Sequence, residues 1–587
     1  TLWHTLSLHD ALPIWEAFLT SVEGFDQRPW EHNNIFVTLK WVFALSGFIA
    51  RTCTRHPNIL LDLILTGELE KSYPPLKYAE DLKKAFKNIK GEAELKRHLR
   101  KFRAREMLRI AWRDLCGFSG LAETMKDCTL FAEVCISQAL FFLYRLQCDL
   151  SGTPFSSDGA RQYPVVIGMG KLGAGELNFS SDIDLMFAYP QTGQTQGGAV
   201  SKSNEEFFSV LFRKFVQILG QTTADGPLFR VDLRLRPYGE SGPIVMNFDA
   251  LENYYQIQGR EWERYALIKA RIIAGEIQDE KDLLSRLKPF IYRRYLDYGA
   301  FESLRDMKQK ISLEVTRKGI ENNVKLGPGG IREVEFFAQV FQLIRGGVLP
   351  ELQEQQIEKV LKILKRKNFI PRETCRELLD AYIFLRNTEH RLQEFYDRQT
   401  HVLPAEPLDR IRLAISMGYK QPEDFFNRLL CHMSRVHFHF NDILETGEQK
   451  APEDMEIAGQ KISEDLEGVW LRFSGEEQAE KTLVNAGFQE PGRVWRLLEA
   501  FRSDSETRSL SRSGRERIDK LIPRLLKVVG SSDFPEIALQ RILQLIKAVE
   551  RRSCYIALML ENPESLSHLI RLATASQIGR ASCRERE

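Results

Sequence analysis

Apolar residues recur at helical spacing through most of residues 15–150. In AREMLRIAWRDL, Met107, Leu108, Ala111, Trp112 and Leu115 form one stripe, the signature of a helix with a single buried face. The stretch Leu130 to Leu146 is more apolar and reads as a central helix. The polar segment SGTPFSSDGARQ then breaks the pattern. At Tyr163 the period changes. YPVVIGMG predicts a short buried strand running into glycines, and DIDLMFAY, Asp182 to Tyr189, a second strand. A Gly/Gln/Ser-rich loop over 191–204 leads into a helix from Glu205 to Leu219. In PLFRVDLRLRP, Phe229, Val231, Leu233 and Leu235 alternate with Arg230, Asp232, Arg234 and Arg236, which predicts a strand with one apolar and one charged face. From about 250 to 445 the pattern is helical again, interrupted at KLGPGGIREVEF (325–336). TGEQKAPEDME (446–456) reads as a polar linker, and further helices reach to about 576. No repeat of solenoid period occurs. The expected fold class is α+β: a compact core with a small mixed sheet over 151–275, set between helical regions at 15–150, 276–445 and 446–576.

The two ends stand apart. Residues 1–14 and 577–587 share no pattern with the rest and resemble translated sequencing-adaptor read-through, so they are set aside as non-native tails. Their charged residues, Asp10, Arg580, Arg584, Glu585, Arg586 and Glu587, cancel. The chain is expected to be a fragment of a longer protein. Its 587 residues are 43% hydrophobic and 28% charged, enough to bury a sizeable core. The 82 bases nearly balance 80 acids, which argues against a surface built for nucleic acid while leaving room for a local basic groove. Nine scattered cysteines with no C-x-x-C pair fit a reducing cytoplasm. The longest apolar run, Trp41 to Ala50, is too short to span a bilayer and predicts a buried helix.

GMGKLG (168–173) after a strand fits a dinucleotide-binding turn in its letters. Such a fold, however, needs a helix of about ten residues after the turn and an acid about 20 residues on. Gly173 and Gly175 would weaken that helix, and Asp182 and Asp184 arrive too early. A second reading uses the same residues. Asp182 and Asp184 at i and i+2 of a strand project from one face, and Asp232 lies on the charged face of another. Three carboxylates on one sheet face suit one or two Mg²⁺ ions. Two such metals about 4 Å apart can clamp the attacking and leaving oxygens of an in-line phosphoryl displacement. The glycine turn lets backbone N–H groups approach a phosphate, with Lys171 adding a charge. That plan resembles the DNA-polymerase-beta-like nucleotidyltransferases.

Three segments, IGMGKLGAGELNFSSDIDLMF, FRVDLRLRPYGESGP and KLGPGGIREVEFFAQ, closely resemble the glutamine synthetase adenylyltransferase/adenylyl-removing family. The resemblance runs through most of 100–576, including AREMLRIAWRDL and LRNTEHRLQ. It implies two homologous halves in the full-length protein, one removing AMP from a tyrosine of glutamine synthetase and the other attaching it. SSDIDL, VDLRLRPYGESGP and KLGPGGIREVEF look like the N-terminal, adenylyl-removing copy. The implied activity is phosphorolysis to ADP, with inorganic phosphate and glutamine synthetase as substrates, the PII signal protein as regulator, and neither nucleic acid nor membrane as partner. The alternative is adenylylation from ATP by the same carboxylates. The implied Mg²⁺ ligands are Asp182, Asp184 and Asp232, and the implied nucleotide or phosphate contacts are Gly170, Lys171 and Ser181 with Arg234 and Arg236. The two arginines could instead form salt bridges to the aspartates. Glu176 could orient the glycine loop or cap the turn after it. Arg332, Glu333 and Glu335 follow a glycine turn at a helix start, which is a ready anion site, or Glu333 and Glu335 could complement the helix dipole.

Two polar clusters remain. Arg386, Glu389, His390 and Arg391 could line the active-site cleft or form a solvated or ion-paired helix face. Cys431, His432, His437 and His439 have the composition of a metal site but not its geometry. On a helix, positions 432 and 437 fall about 140° out of register.

Overall fold

The structure is a computed structural model. It describes residues 11–21, 35–224, 226–293, 322–443, 465–471, 476–504 and 512–549, with short pieces at 307–309, 313, 507, 559 and 568–572. The chain divides into two compact units, residues 1–294 with 308–444, and residues 295–307 with 445–587.

The first unit opens with helices α1 (Ala11–Ser21), α2 (Ile35–Leu45), α3 (Gly47–Arg55) and α4 (Pro57–Leu65). The helix expected over Trp41 to Ala50 is thus two. Ser46 separates them because its side chain accepts from the Ile49 N–H at 3.2 Å, an N-cap that starts α3. Two long helices follow, α5 (Glu92–Leu115) and α6 (Leu121–Ser151), and they carry the stripe and the central helix read from the sequence. Among the described residues, α6 alone is long and apolar enough to cross a membrane. Half of its most apolar stretch is buried in the protein, with α5 and other helices packed along it, and its buried Asp127 pairs with Arg109 of α5 at 3.1 Å.

The core sheet is small and mixed. Strands β1 (Thr153–Ser156), β2 (Val165–Gly168), β3 (Ile183–Tyr189) and β4 (Gly193–Gln196) precede helix α7 (Asn204–Gly220). Strands β5 (Val231–Asp232), β6 (Met246–Asn247) and β7 (Arg271–Ala274) follow it. The strand order is β5-β3-β2-β7, with β6 also pairing β3. β3 runs antiparallel to β2 and parallel to β5 and β6. Alternation along β3 explains its placement. Ile183, Leu185, Phe187 and Tyr189 enter the main apolar core, whereas Asp184 stays half-buried on the opposite face. α7 packs against this core through stacked Phe187 and Phe212, ring centroids 4.2 Å apart.

Three sequence expectations change. The strand expected over Phe229–Leu235 is only Val231–Asp232. The Asp232 carboxylate accepts from the Arg234 N–H at 2.8 Å, and the Leu233 carbonyl accepts from the Arg236 N–H at 3.2 Å. These local bonds turn the chain out of the sheet. Segments read as loop at 151–162 and 191–204 contain β1 and β4, which pair as an antiparallel ribbon. The helical stretch after 250 contains β7, which completes the sheet beside β2.

Beyond the sheet come α8 (Ile331–Arg345), α9 (Ile357–Arg366), α10 (Arg372–Tyr396) and α11 (Pro422–Asp442), which share an apolar core of their own. In the second unit, α12 (Glu476–Asn485), α13 (Pro491–Ser503), α14 (Arg512–Gly530) and α15 (Pro535–Val549) surround a separate core. That core includes Trp470, whose ring N–H donates to Asp519 at 2.8 Å. The linker expected at 446–456 and the C-terminal tail at 577–587 lie outside the described residues. The N-terminal tail is described only from Ala11, where α1 begins.

Candidate active site

The parallel register of β3 and β5 sets Asp184 directly beside Asp232, and Asp182 lies two residues earlier on the Asp184 side of β3. The three acids singled out in the sequence therefore converge at one end of the sheet. Burial, then the charges of Asp232 and Asp182, push the Asp184 carboxyl up to about 6. Hydrogen bonds from Arg234 hold Asp232 below the usual carboxylate range. Asp182 accepts from Arg230 Nε at 2.7 Å, and Asp232 accepts from Arg234 Nε at 2.9 Å. The ligand atoms offered are all carboxylate oxygens, and burial with two neighbouring acids disfavours the charge on Asp184, which a bound cation would favour. This set suits a hard divalent cation.

The glycine turn lies against these acids. Gly170 has φ +53, and a Cβ there would fall 2.5 Å from Asp184 Oδ2. The Met169 N–H also donates to the Asp184 carbonyl at 2.9 Å. Gly170 thus brings its backbone up against the Asp184 carboxylate. Lys171 does not extend to a phosphate. It is buried, and its ammonium donates to both oxygens of Glu389 at 2.7 and 2.8 Å. Burial opposes ionisation of Glu389, but Lys171, His401 and Arg386 together hold it well below the usual carboxylate range. Ser181 is half-buried and, with Arg103 and Arg230, lines a cavity of about 30 Å³ beside Asp182.

The two arginines separate. Arg234 is largely exposed and ion-paired to Asp232, the salt-bridge alternative. Arg236 contacts neither aspartates nor an open site. Its guanidinium donates to the carbonyls of Leu233, Glu240 and Gly242, bracing the loop after β5. It leaves the strand face because the strand itself ends at Asp232.

Glu176 neither caps the next turn nor simply orients the loop. Its carboxylate accepts from the first N–H of α9, Ile357, at 3.1 Å and from the Tyr382 hydroxyl at 3.0 Å. Burial raises its pKa, with Lys269 and Arg386 opposing. Glu333 accepts from the Gly329 N–H at 2.9 Å and contacts His437 Nδ1 at 3.1 Å. Glu335 pairs with Lys269 at 2.7 Å. The Arg332 N–H donates to the Lys325 carbonyl at 3.0 Å. These residues fasten the KLGPGG turn, in which Gly329 has φ +73 and a Cβ would strike the Met433 carbonyl oxygen at 1.8 Å.

The polar helix segment proves to be buried and ion-paired rather than solvated. Arg386 donates to the Glu176 carbonyl and Asn178 Oδ1, both at 2.6 Å, and Gln393 accepts from the Ser180 N–H at 3.0 Å. α10 therefore grips the whole loop between the glycine turn and Asp182. Residues that sequence reasoning did not single out include Lys269, Tyr382 and His401. Their only sequence signal is polarity within otherwise helical stretches. Asp114, His390 and Glu394 also converge, with ligand atoms within 4.8 Å, but Arg391 already supplies the cation there at 2.7 Å from Asp114 and Glu394. His432 stacks on Phe384 and His439 contacts Glu377, so the Cys/His segment gathers no metal site.

The glutamate-ammonia ligase adenylyltransferase family model matches residues 36–322, and a model described as GlnD PII-uridylyltransferase matches residues 305–444. Curated relatives bear the name bifunctional glutamine synthetase adenylyltransferase/adenylyl-removing enzyme. The Nitrosococcus oceani protein is 47% identical over 92% of this chain and 55% of its own length. The Pseudomonas aeruginosa protein is 45% identical over 91% and 54%. The Hahella chejuensis protein is 40% identical over 91% and 55%. The chain spans about half the length of the curated relatives it matches.

Proposed function

Residues 36–322 belong to the glutamate-ammonia ligase adenylyltransferase family, and on that premise we propose that this chain removes AMP from an adenylylated tyrosine of glutamine synthetase by phosphorolysis. The observation that carries the reading is the side-by-side register of Asp184 and Asp232, with the Gly170 backbone packed against the first of them. The resemblance of SSDIDL, VDLRLRPYGESGP and KLGPGGIREVEF to the adenylyl-removing copy supports the direction. Glutamine synthetase is then the protein substrate, the PII signal protein a regulator and the cytoplasm the compartment.

Asp182, Asp184 and Asp232 would hold Mg²⁺, which supplies charge neutralisation for the attacking and leaving oxygens. An oxygen of hydrogen phosphate attacks the AMP phosphorus, and the bond from phosphorus to the tyrosine oxygen breaks. The proton of hydrogen phosphate passes to the departing phenolate, leaving ADP and tyrosine. The nucleophile arrives already anionic, so the chain needs no strong general base. Its own task is positioning and electrostatic complementarity. Gly170 gives the substrate close access to the backbone. Arg230 and Arg234, bound here to Asp182 and Asp232, provide guanidinium groups for anionic oxygens at the same place.

Adenylylated glutamine synthetase with Mg²⁺ and phosphate should yield ADP in proportion to the phosphate added. AMP released equally fast in phosphate-free buffer would make the chain a hydrolase. Label transferred from ATP to unmodified synthetase would assign the reverse direction.

A further inference from the structure

Between Lys96 and Arg105, seven of ten residues are bases, and no acid occurs before Glu106. Most of them have structural work on α5. Lys96 donates to Gln221 at 2.8 Å, Arg100 to the Gly226 carbonyl at 2.9 Å, Arg103 pairs with Asp397 at 2.8 Å, and Arg105 with Asp62 at 2.8 Å. Of the remaining three, Arg97 is exposed on the surface, which leaves His98 and Lys101. They line a cavity of about 480 Å³, a size typical of small-molecule sites. Arg55, at the end of α3, and His56 face them across it. Arg55, His98 and Lys101 have no hydrogen-bond or ion-pair partner among the described residues.

The first turn of α4 forms another part of the wall. His56 makes no side-chain cap there, so the positive end of the helix opens on the cavity. Asp62 is the one carboxylate in the lining, and it is already matched by Arg105. The arrangement sets several basic side chains and a helix N-terminus around one opening. An extended anion with charge on successive groups, as in a di- or triphosphate, can meet both walls together, whereas a compact carboxylate, single or multiple, meets only one. Ile59 and buried Phe102 add apolar surface beside the charges.

We propose that this cavity binds a di- or triphosphate, free or carried by a nucleoside, at a site that shares no lining residue with the carboxylate centre. Peptide-resolved hydrogen exchange on the full chain without Mg²⁺ tests it, using pyrophosphate, ADP and citrate as probes. Pyrophosphate and ADP should slow exchange over residues 55–62 and 97–102. Stronger protection by ADP would identify a nucleoside-borne ligand, and equal protection the phosphates alone. Arg55→Ala and Lys101→Ala, each at an exposed position, should weaken that protection about tenfold, as expected for loss of a charged hydrogen bond. Both variants should keep their deadenylylation rate. Protection absent from these segments, unchanged in both variants, or matched by citrate would overturn the assignment.

Discussion

Gly170 and Asp184 compete for one small volume, and only a residue without a Cβ lets the carboxylate stay where the sheet puts it. A methyl group 2.5 Å from Asp184 Oδ2 must displace one or the other, and φ +53 adds strain for any L-residue. Gly170→Ala should therefore lower deadenylylation at least about tenfold through misplacement of the site. Circular dichroism and melting should change little beside that loss. Full activity in this variant would detach the glycine turn from the chemistry. The acids behave differently. Asp182→Asn with Asp184→Asn should abolish AMP removal yet keep the fold. Asp184 titrates at about 6 in the native chain, against about 4 when unfolded. The native state thus binds the extra proton between those values, and the stability this brings at low pH is lost as pH rises through about 6. Without metal at pH 8, the double variant should be more stable than the parent by about 1 kcal/mol, a figure discounted for the half-exposed carboxylate. The gain should vanish near pH 4. Mg²⁺ should raise the melting temperature of the parent only. Equal Mg²⁺ shifts in both proteins would remove the cation from these carboxylates.

At the scale of elements, α10 controls the loop that precedes Asp182. Lys171 and Glu389 are 218 positions apart and meet in a buried contact. Removing one partner leaves the other buried without its counter-charge, and burial already draws the Lys171 ammonium down to about 7, so Glu389→Ala should cost about 3 kcal/mol, measured by urea unfolding. Lys171→Met with Glu389→Leu should restore most of that stability. If activity returns with it, the pair serves the fold alone; if activity stays low, the Lys171 position matters to the site as well. Glu389 is ionised well below its unfolded value, so its stabilising effect is present above about pH 4 and fades as pH falls further. The double variant should lack that acid loss. This pair also marks where sequence reading stopped. Period and glycine spacing located β2, β3 and the three acids, because strand alternation fixes which side chains share a face. They could not locate the partner of Lys171, since nothing local in LRNTEHRLQ distinguishes a buried charge network from a solvated helix. The shortened β5 was hidden for a similar reason. Its alternation is intact, but the Asp232 side chain captures the Arg234 N–H and ends the strand.

At the scale of the molecule, the question is how much chain the chemistry requires. Every strand among the described residues falls between Thr153 and Ala274. The helices that grip the site, α8 to α11, end at Asp442. All of these belong to the first unit, and the two clusters of buried apolar residues described for it are drawn from residues up to 444. The second unit has its own core around Trp470, Leu521 and Ile542. Two separate cores imply two units that can each retain structure when the other is absent. A chain ending at Leu444 should therefore remove AMP from glutamine synthetase at a rate within about threefold of the parent, since the carboxylates, the glycine turn and the α10 clamp are all kept. Heating the parent should give two transitions, and the shortened chain should keep one of them. Loss of more than about tenfold in activity, with that transition intact, would mean that the second unit takes part in catalysis or in holding the protein substrate.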